Sequence, residues 1–380
     1  METTPPLLVL LLHGLLGLSM ALSVHGKVGE NTNLTRESFP PGFVFGTASS
    51  AYQVEGNANK YGRGPCIWDT FLMHPGTTPD NATANVTVDE YHRYMDDVDN
   101  MVRVGFDAYR FSISWSRIFP REILKSLQIS ASKRTAQQKG KIGILLDFVW
   151  YEALTDSIED GFAAHRARMF TLGWFLHPIT YGHYPETMEK IVQGRLPNFT
   201  FEQSEMVKGS ADYIGINHYT TYYASHYIND TEKSYRNDWN VKLSYSRNGV
   251  PIGKKAYSDW LYVVPWGIYK AVMWTKEKFN NPVIIIGENG VDQPGNETLP
   301  GALYDTFRID YFEKYLHELK CALNDGANVI GYFAWSLLDT FEWRLGFTSK
   351  FGLVYVDRQT FTRYPKDSAR WFRKVIKKED

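Results

Sequence analysis

A carboxylate closes the clearest strand-like run of the sequence. Residues 283–286 are Val-Ile-Ile-Ile, and Glu288 follows them after one glycine. β-Branched residues without polar alternation are typical of a strand buried on both faces of a parallel sheet. Because parallel α/β folds carry their chemistry at the carboxyl ends of the strands, Glu288 is a candidate catalytic residue. A structural ion pair or a helix N-cap explains its position equally well.

A cationic candidate lies in another run. Within residues 106–115, Arg110 alternates with apolar neighbours such as Phe111, so its side chain is on the opposite face of the strand. If Phe111 faces the helices, the guanidinium faces the interior of the fold, where it needs an acidic partner. A strand-end carboxylate is the natural partner. Tyr219 and Trp335 also lie at the ends of strand-like runs.

Strand-like and helix-like runs alternate from residue 38 onward, which is the pattern of a parallel α/β fold. A (β/α)8 barrel needs eight strands, and six runs are found, so two strands are missing. The runs are residues 43–47, 106–115, 141–147, 212–217, 282–288 and 329–335.

Two amphipathic runs are predicted to be helices that pack on the core. Gly105 follows the first run, where a C-cap belongs, and Asp325 and Gly326 follow the second. We assign both apolar stripes to core packing. The first consists of Tyr91, Tyr94, Met95, Val98, Met101 and Val102, and the second of Tyr311, Tyr315, Leu316, Leu319 and Leu323.

The composition limits the partners of the protein. The chain has 380 residues, a hydrophobic content of 43% and a formal net charge of −1. This charge argues against nucleic acid or an anionic membrane surface as the main partner, so we expect a small-molecule partner and no stable membrane insertion. Nothing in the composition favours one oligomeric state.

The first residues are predicted to be a targeting signal. The apolar run Leu7–Leu22 is interrupted, is short for a transmembrane helix and ends in small residues. We assign residues 1–25 to a secretory signal peptide and residues 26–380 to one domain. A membrane anchor is the alternative, because the run is preceded by Glu2 and by no Lys or Arg.

Glycosylation sequons agree with secretion, whereas cysteine usage is uninformative. Cys66 and Cys321 are the only cysteines and are expected to be independent thiols. No metal, nucleotide or flavin motif is found in the sequence, so no metal site and no cofactor are expected. The six sequons begin at Asn33, Asn81, Asn85, Asn198, Asn229 and Asn296.

Five motifs, in one order, resemble the glycoside hydrolases of family 1, and plant β-glucosidases match best. The resemblance covers residues 38–120 and 139–375. It implies a TIM-type (β/α)8 barrel, incomplete here, that hydrolyses terminal β-D-glucosyl residues with retention, using two carboxyl groups and no cofactor. The motifs are FGTASSAYQVEG (45–56), GFDAYRFSISWSRIFP (105–120), GINHYT (215–220), IIIGENG (284–290) and GYFAWSLLDTFEWRLGFTSKFGLVYVD (331–357).

The resemblance also assigns site residues. Glu288 is the nucleophile by resemblance, and Arg110 and Tyr219 donate to its carboxylate. By resemblance, Gln53 and Glu342 form hydrogen bonds with the glucose hydroxyls, and the Trp343 indole N–H donates to them. The Trp335 ring packs under the apolar face of the sugar, and Phe351 helps to close the glucose pocket. A carboxylate at Glu342 favours an unphosphorylated sugar, because it repels a 6-phosphate.

The departure from the family is large. After Pro120 the family continues with two βα units, the second of which carries the general acid/base Glu, and this sequence has neither. A basic stretch, residues 121–139, leads directly to the fifth family strand, so a deletion junction is placed near residues 121–140. No acid/base residue is found. Glu152 is the nearest substitute in sequence order, although the family does not use that position.

These observations leave three functional hypotheses. The first is a β-glucosidase with impaired turnover, secreted to the apoplast or another extracellular site, or sent to the vacuole. The second is a catalytically inactive sugar-binding or regulatory protein, and the third is a truncated form without function. The substrate is expected to be a β-glucoside or a short β-linked oligosaccharide, while thioglucosidases and transglucosidases share most of the motifs.

Overall fold

The computed structural model describes residues 34–120, 140–228, 233–235 and 237–378. Its centre is a sheet of six parallel strands in the order β2-β1-β6-β5-β4-β3. The strands are β1 Val44–Ala48, β2 Ala108–Arg110, β3 Gly143–Asp147, β4 Tyr213–Asn217, β5 Ile284–Asn289 and β6 Val329–Trp335.

All six predicted strands are confirmed, and one is much shorter than its apolar run. Only residues 108–110 of the predicted run 106–115 form β2, and a short helix, Trp115–Ile118, follows. Among the described strands β2 pairs with β1 alone, so the ladder hydrogen bonds that would extend it on its other side are missing. In the part of the chain that the structure describes, the sheet is an open barrel with edges at β2 and β3.

Helices connect the strands and cover the outer face of the sheet. The helices of seven or more residues are α1 Glu90–Val104, α2 Ile158–Arg168, α3 Trp174–Tyr181, α4 Glu186–Val192, α5 Phe201–Val207, α6 Trp266–Lys278, α7 Thr306–Asn324 and α8 Asp367–Val375. Gly105 takes the left-handed conformation at the C-terminus of α1, as its position predicts.

Shorter elements surround the strand ends. The short helical segments are Arg36–Ser38, Ala51–Val54, Ile67–Phe71, Met169–Gly173, Gln193–Arg195, Gly301–Leu303 and Trp343–Leu345. A three-stranded sheet is formed by Trp150–Ala153, Thr221–His226 and Val241–Ser244. The two-stranded pairs are Ser246–Arg247 with Val250–Pro251, Lys254–Lys255 with Tyr262–Val263, Gln293–Pro294 with Ser349–Lys350, and Val354–Val356 with Arg363–Pro365.

The main core lies between the sheet and the helices that follow β5 and β4. Ile284 and Ile286 of β5 are fully buried, whereas Ile285 on the other face is only half-buried, so the predicted burial on both faces is found on one face alone. The stripe on α7 is buried as well, with Tyr311, Tyr315 and Leu319 fully covered. The prediction of core packing is therefore confirmed for this helix.

The same prediction is wrong for α1. Met101 is buried, but the other five members of its stripe are between 37% and 70% exposed. Phe111 and Ile113, which follow β2, are exposed too. The physical reason is the missing neighbour, because the helix of the βα unit that should follow β2 would cover this face.

Some predictions fall outside the described residues. These are the signal peptide at residues 1–25, the sequons at Asn33 and Asn229, and the basic stretch 121–139. In the described part of the chain, no helix is long and apolar enough to cross a membrane. Cys66 and Cys321 are both free thiols. The sequon asparagines Asn81, Asn85, Asn198 and Asn296 are all exposed.

Candidate active site

The centre of the site is the Glu288 carboxylate at the end of β5. The Arg110 guanidinium on β2 forms an ion pair with its Oε1 atom. The Tyr219 hydroxyl donates to its Oε2 atom at 2.6 Å. Glu288 is 14% exposed at its side chain, so it lies at the mouth of the sheet with one side open to solvent.

The fold holds this strand end rigidly. Asn289, the next residue, is fully buried and donates to the His218 carbonyl at 2.6 Å and to the Tyr311 hydroxyl at 2.9 Å. The Tyr332 hydroxyl donates to the Asn289 side chain at 2.6 Å. Because these partners come from three other elements, the backbone of Glu288 has little freedom to move.

Two opposing effects set the protonation of Glu288. Burial raises the pKa of its carboxyl, and this effect dominates. The Arg110 charge and the Tyr219 hydrogen bond act against burial and lower the same pKa. A buried carboxylate that is ion-paired and hydrogen-bonded in this way is oriented for attack on a carbon in front of it.

Gln53 and Glu342 meet on the other side of the mouth. The Gln53 side chain is buried and donates to the Phe341 carbonyl at 2.9 Å and to Glu342 Oε2 at 3.2 Å. Burial, together with the charges of Glu288 and Asp292, raises the pKa of the Glu342 carboxyl to about 8. A carboxyl group with this pKa can donate to, or accept from, a sugar hydroxyl.

Trp343 is held in a strained backbone conformation beside Glu342. Its φ angle is +49°, a region that bulky residues rarely adopt. The indole ring stacks on Tyr52 at a centroid distance of 5.9 Å and packs on Trp68 at 4.7 Å. These ring contacts offset the local strain and fix the direction of the indole N–H.

Trp335 and Phe351 are the most buried of the aromatic residues predicted to bind glucose. Trp335 closes β6 and is 4% exposed, and Phe351 is 2% exposed. The Phe351 ring contacts the Tyr219 ring edge-on at 6.1 Å. Behind Trp335 the backbone is tight, since a Cβ on Gly290 would lie 1.9 Å from the Trp335 carbonyl oxygen.

One acidic residue of the mouth was missed from the sequence. Asp147 closes β3 and accepts a hydrogen bond from the Asn217 side chain at 3.0 Å. The signal that selected Glu288, a carboxylate at the end of a strand-like run, is present here as well. Glu152, the substitute in sequence order, is instead engaged by Lys270 at 2.7 Å and by the Trp150 indole at 2.8 Å.

One surface cavity among the described residues lies away from the strand ends. It has a volume of about 380 Å³ and is bounded by α3 and the C-terminal end of α6. None of the predicted site residues lines it. The chemistry therefore belongs to the open mouth of the sheet, where the predicted residues come together from β1, β2, β4, β5 and β6 or from the loops that follow them.

Comparison with known families gives one match along the chain. Glycosyl hydrolase family 1 matches residues 35–130 and 122–380. The two matched segments meet where the deletion junction is predicted.

Curated plant relatives match over nearly the whole chain. Rice β-glucosidase 38 (Oryza sativa subsp. japonica) is 59% identical, covering 98% of this chain and 99% of the relative. β-Glucosidase 44 of Arabidopsis thaliana is 42% identical, covering 99% and 98%. The first alignment is 494 positions long, 114 more than the 380 residues of this chain, so the relative has segments that face gaps here.

Solved structures with the same fold include enzymes bound to glucose. The crystal structure of a rice β-glucosidase has a TM-score of 0.86 at 34% identity, covering 91% of this chain and 100% of that chain. A variant of the rice enzyme in a covalent complex with glucose gives a TM-score of 0.86 at 33% identity, with the same coverage. A β-glucosidase of the fungus Humicola insolens in complex with glucose has a TM-score of 0.82 at 28% identity, covering 90% and 99%.

Proposed function

This chain belongs to glycosyl hydrolase family 1, and on that premise we propose that it is a β-glucosidase that transfers terminal β-D-glucosyl residues with retention. The observation that carries the proposal is the Glu288 carboxylate, held between the Arg110 guanidinium and the Tyr219 hydroxyl at the mouth of the sheet. The curated relatives, which are plant β-glucosidases, support the same activity.

The first chemical step follows from this geometry. A Glu288 oxygen attacks the anomeric carbon, the bond from that carbon to the leaving oxygen breaks, and a glucosyl ester of Glu288 forms. Arg110 and Tyr219 keep the carboxylate oriented before attack and neutralise part of its charge. The covalent glucose complex of the rice relative supports an intermediate of this kind.

The glucose ring is placed by the second group of residues. The Gln53 amide and the Glu342 carboxyl offer adjacent donors and acceptors for the hydroxyls at one end of the ring. The indole N–H of Trp343 and the faces of Trp335 and Phe351 complete the subsite.

The second catalytic carboxyl of the family is what this chain lacks. The alignment gap of at least 114 positions is large enough for the two missing βα units and their acid/base residue. General acid help is worth roughly 10²- to 10⁴-fold in rate. We therefore propose that this form transfers glucose from glucosides with good leaving groups and acts very slowly on alkyl glucosides.

A mechanism-based label tests the proposal. The protein is incubated with 2,4-dinitrophenyl 2-deoxy-2-fluoro-β-glucoside, whose leaving group needs no proton and whose fluorine slows release of the ester. The intact mass should rise by one fluoroglucosyl unit, and peptide mapping should place the label on Glu288.

The matched control separates the nucleophile from the fold. Glu288→Gln should remain unlabelled, while Glu152→Gln, outside the mouth, should label like the parent. If the parent stays unlabelled while a full-length relative is labelled alongside it, the open barrel does not form a working site and the proposal is wrong.

We also propose that the protein is a secreted glycoprotein of the apoplast or vacuole. The apolar run Leu7–Leu22 and the exposure of four sequon asparagines support this location. Expression in plant cells should yield a product whose N-terminus lies near residue 25. Enzymatic removal of N-glycans should lower its mass, and a cytosolic product that keeps Met1 and carries no glycan would contradict the proposal.

A further inference from the structure

Asp147 is the carboxylate at the end of edge strand β3, and a catalytic role for it rests on the proposed β-glucosidase function. In the register of the sheet, Asp147 is the partner of Asn217 on β4, and Asn217 is the partner of Glu288 on β5. The three residues therefore form one row across three neighbouring strand ends. Register partners in a parallel sheet point to the same face, so the Asp147 side chain points into the mouth as Glu288 does.

Leu145, two residues before Asp147, supports this orientation of the Asp147 side chain. A Cβ on Gly215 or on Gly287 would lie 2.3 Å from the Leu145 Cδ1 atom, so Leu145 extends across the inner face of β4 to β5. Side chains alternate along a strand, and Asp147 shares the face of Leu145.

The backbone spacing lets both carboxyl groups face one substrate in the mouth. Two strand spacings separate the backbones of Asp147 and Glu288 by about 9 to 10 Å. Retaining hydrolysis uses carboxyl groups about 5 to 5.5 Å apart, a separation that two side chains reaching into the same mouth from these backbones can attain. The Asp147 charge is close enough to contribute to the raised pKa values of both the Glu288 carboxyl and the Tyr219 hydroxyl.

A buried amide between the two carboxylates is available for such a ligand. Asn217 is 9% exposed, and its Nδ2 atom donates to Asp147. Its Oδ1 atom is buried and has no hydrogen-bond partner among the described residues. Buried acceptors are normally satisfied, so this oxygen is free to accept from a water or a sugar hydroxyl held between the two carboxylates.

We propose that Asp147 is the second catalytic carboxylate of this chain and acts as general base in releasing glucose from Glu288. Asp147 takes a proton from a water whose oxygen bonds to the anomeric carbon. The ester bond from that carbon to Glu288 breaks, so Glu288 regains its carboxylate and β-glucose leaves. Asp147 is exposed at the open edge of the sheet, where it returns the proton to solvent.

Pre-steady-state turnover of 2,4-dinitrophenyl β-glucoside tests this role, since its first step needs no acid. The parent should show a burst of dinitrophenolate of about one per site, followed by slower release. Asp147→Asn should keep the burst and lower the steady-state rate per site by roughly 10²-fold. Azide, a nucleophile that needs no base, should restore turnover and yield β-glucosyl azide.

Glu152→Gln is the matched control, because Glu152 also follows β3 in sequence but faces Lys270. It should turn over like the parent and show no response to azide. The inference is overturned if Asp147→Asn turns over at the parent rate per site, if azide fails to restore it, or if Glu152→Gln behaves in the same way. If the parent shows no burst and takes no label at Glu288, both the role of Asp147 and the proposed function are wrong. If the parent is labelled at Glu288 but Asp147→Asn turns over at the parent rate, only the role of Asp147 is wrong.

Discussion

Arg110 and Glu288 are 178 residues apart in the chain and three strands apart in the sheet, yet they form an ion pair across the mouth. A flat sheet would separate them by about 14 Å, because neighbouring strands lie 4.7–4.9 Å apart. The long Arg110 and Glu288 side chains cross this distance over the strand ends that lie between them. Glu288 is therefore paired with Arg110 although the barrel is incomplete in the described part of the chain.

The ion pair predicts a large effect of Arg110→Met on labelling. Removal of the guanidinium leaves the carboxylate without its cation, so labelling of Glu288 by the fluoroglucoside should slow by about 10² to 10³. The control is Arg117→Met, which removes an ion pair with Glu55 outside the mouth. Equal labelling rates in the two variants would show that Arg110 has only a structural role.

The Tyr219 hydrogen bond predicts a shift in the pH dependence of labelling. The hydroxyl stabilises the ionised carboxylate and lowers the pKa of Glu288, so Tyr219→Phe should raise that pKa. Because attack needs the ionised form, the acidic limb of the rate profile should move to higher pH. Tyr222→Phe, whose hydroxyl donates to the Trp260 carbonyl at 3.0 Å, should leave the limb in place. A profile unchanged in Tyr219→Phe contradicts the assignment.

Glu342 predicts that stability falls as pH rises. Its folded-state pKa of about 8 lies above the ordinary value of 4.5, so the folded protein holds a proton that the unfolded chain releases. The stabilisation of the folded state by this retained proton is complete below pH 4.5 and is lost as pH rises through about 8. Between pH 5 and 8 the free energy of unfolding should therefore decline less in Glu342→Gln than in the parent.

Urea titrations at several pH values measure this difference, which should be of the order of a few kcal/mol at most. The raised pKa of Glu288 acts in the same direction in both proteins and does not obscure the comparison. Glu159→Gln, at an exposed position in α2, is the control and should follow the parent. Parallel curves for Glu342→Gln and the parent would show that the Glu342 proton is not retained on folding.

The backbone contact behind Glu288 predicts opposite effects for two glycine substitutions. Gly290→Ala places a Cβ 1.9 Å from the Trp335 carbonyl oxygen, so it should destabilise the fold and abolish labelling. Gly161→Ala, in helix α2 with no neighbour within 4 Å, should stabilise the protein by about 0.5–1 kcal/mol. Thermal unfolding of the two variants checks both signs. A Gly290→Ala protein with the parent melting temperature and full labelling would contradict the close approach.

The uncovered face of α1 predicts self-association that charge can suppress. Met95 is 59% and Val102 is 70% exposed. A double Met95→Lys and Val102→Lys variant should bind less hydrophobic dye and sediment as smaller species, at unchanged melting temperature. Met101→Lys should instead unfold the protein, because Met101 is 6% exposed and would bury an unpaired charge. Unchanged dye binding in the double variant would show that this face is not the adhesive surface.

The local pattern was enough to predict the strands and the principal residues of the site. Ile284 and Ile286 of the run at 283–286 are fully buried, whereas Val283 and Ile285 on the other face are only half-buried, and Glu288 stands at its end as expected. Alternation along β2 also placed Arg110 toward the interior, where it meets that carboxylate. These predictions succeed because the repeat of a strand is fixed by backbone geometry, so alternate side chains share a face.

Asp147 and the face of α1 show where the local pattern was insufficient. Asp147 ends its strand as Glu288 does, but only the register of β3, β4 and β5 shows that both belong to one row. The stripe on α1 was correctly recognised as apolar and wrongly assigned to the core. A sequence pattern says which face of an element is apolar, whereas burial requires a neighbour supplied by another segment.

The sequence by itself therefore determined the family, the parallel α/β fold and the place of Glu288 at a strand end. All of these depend on short-range spacing or on motifs that survive in order. Only the tertiary structure decided that, among the described strands, β2 and β3 are not paired with each other and that Arg110 meets Glu288. The reason is physical: curvature and strand pairing arise from contacts between segments far apart in the chain, which no local pattern encodes.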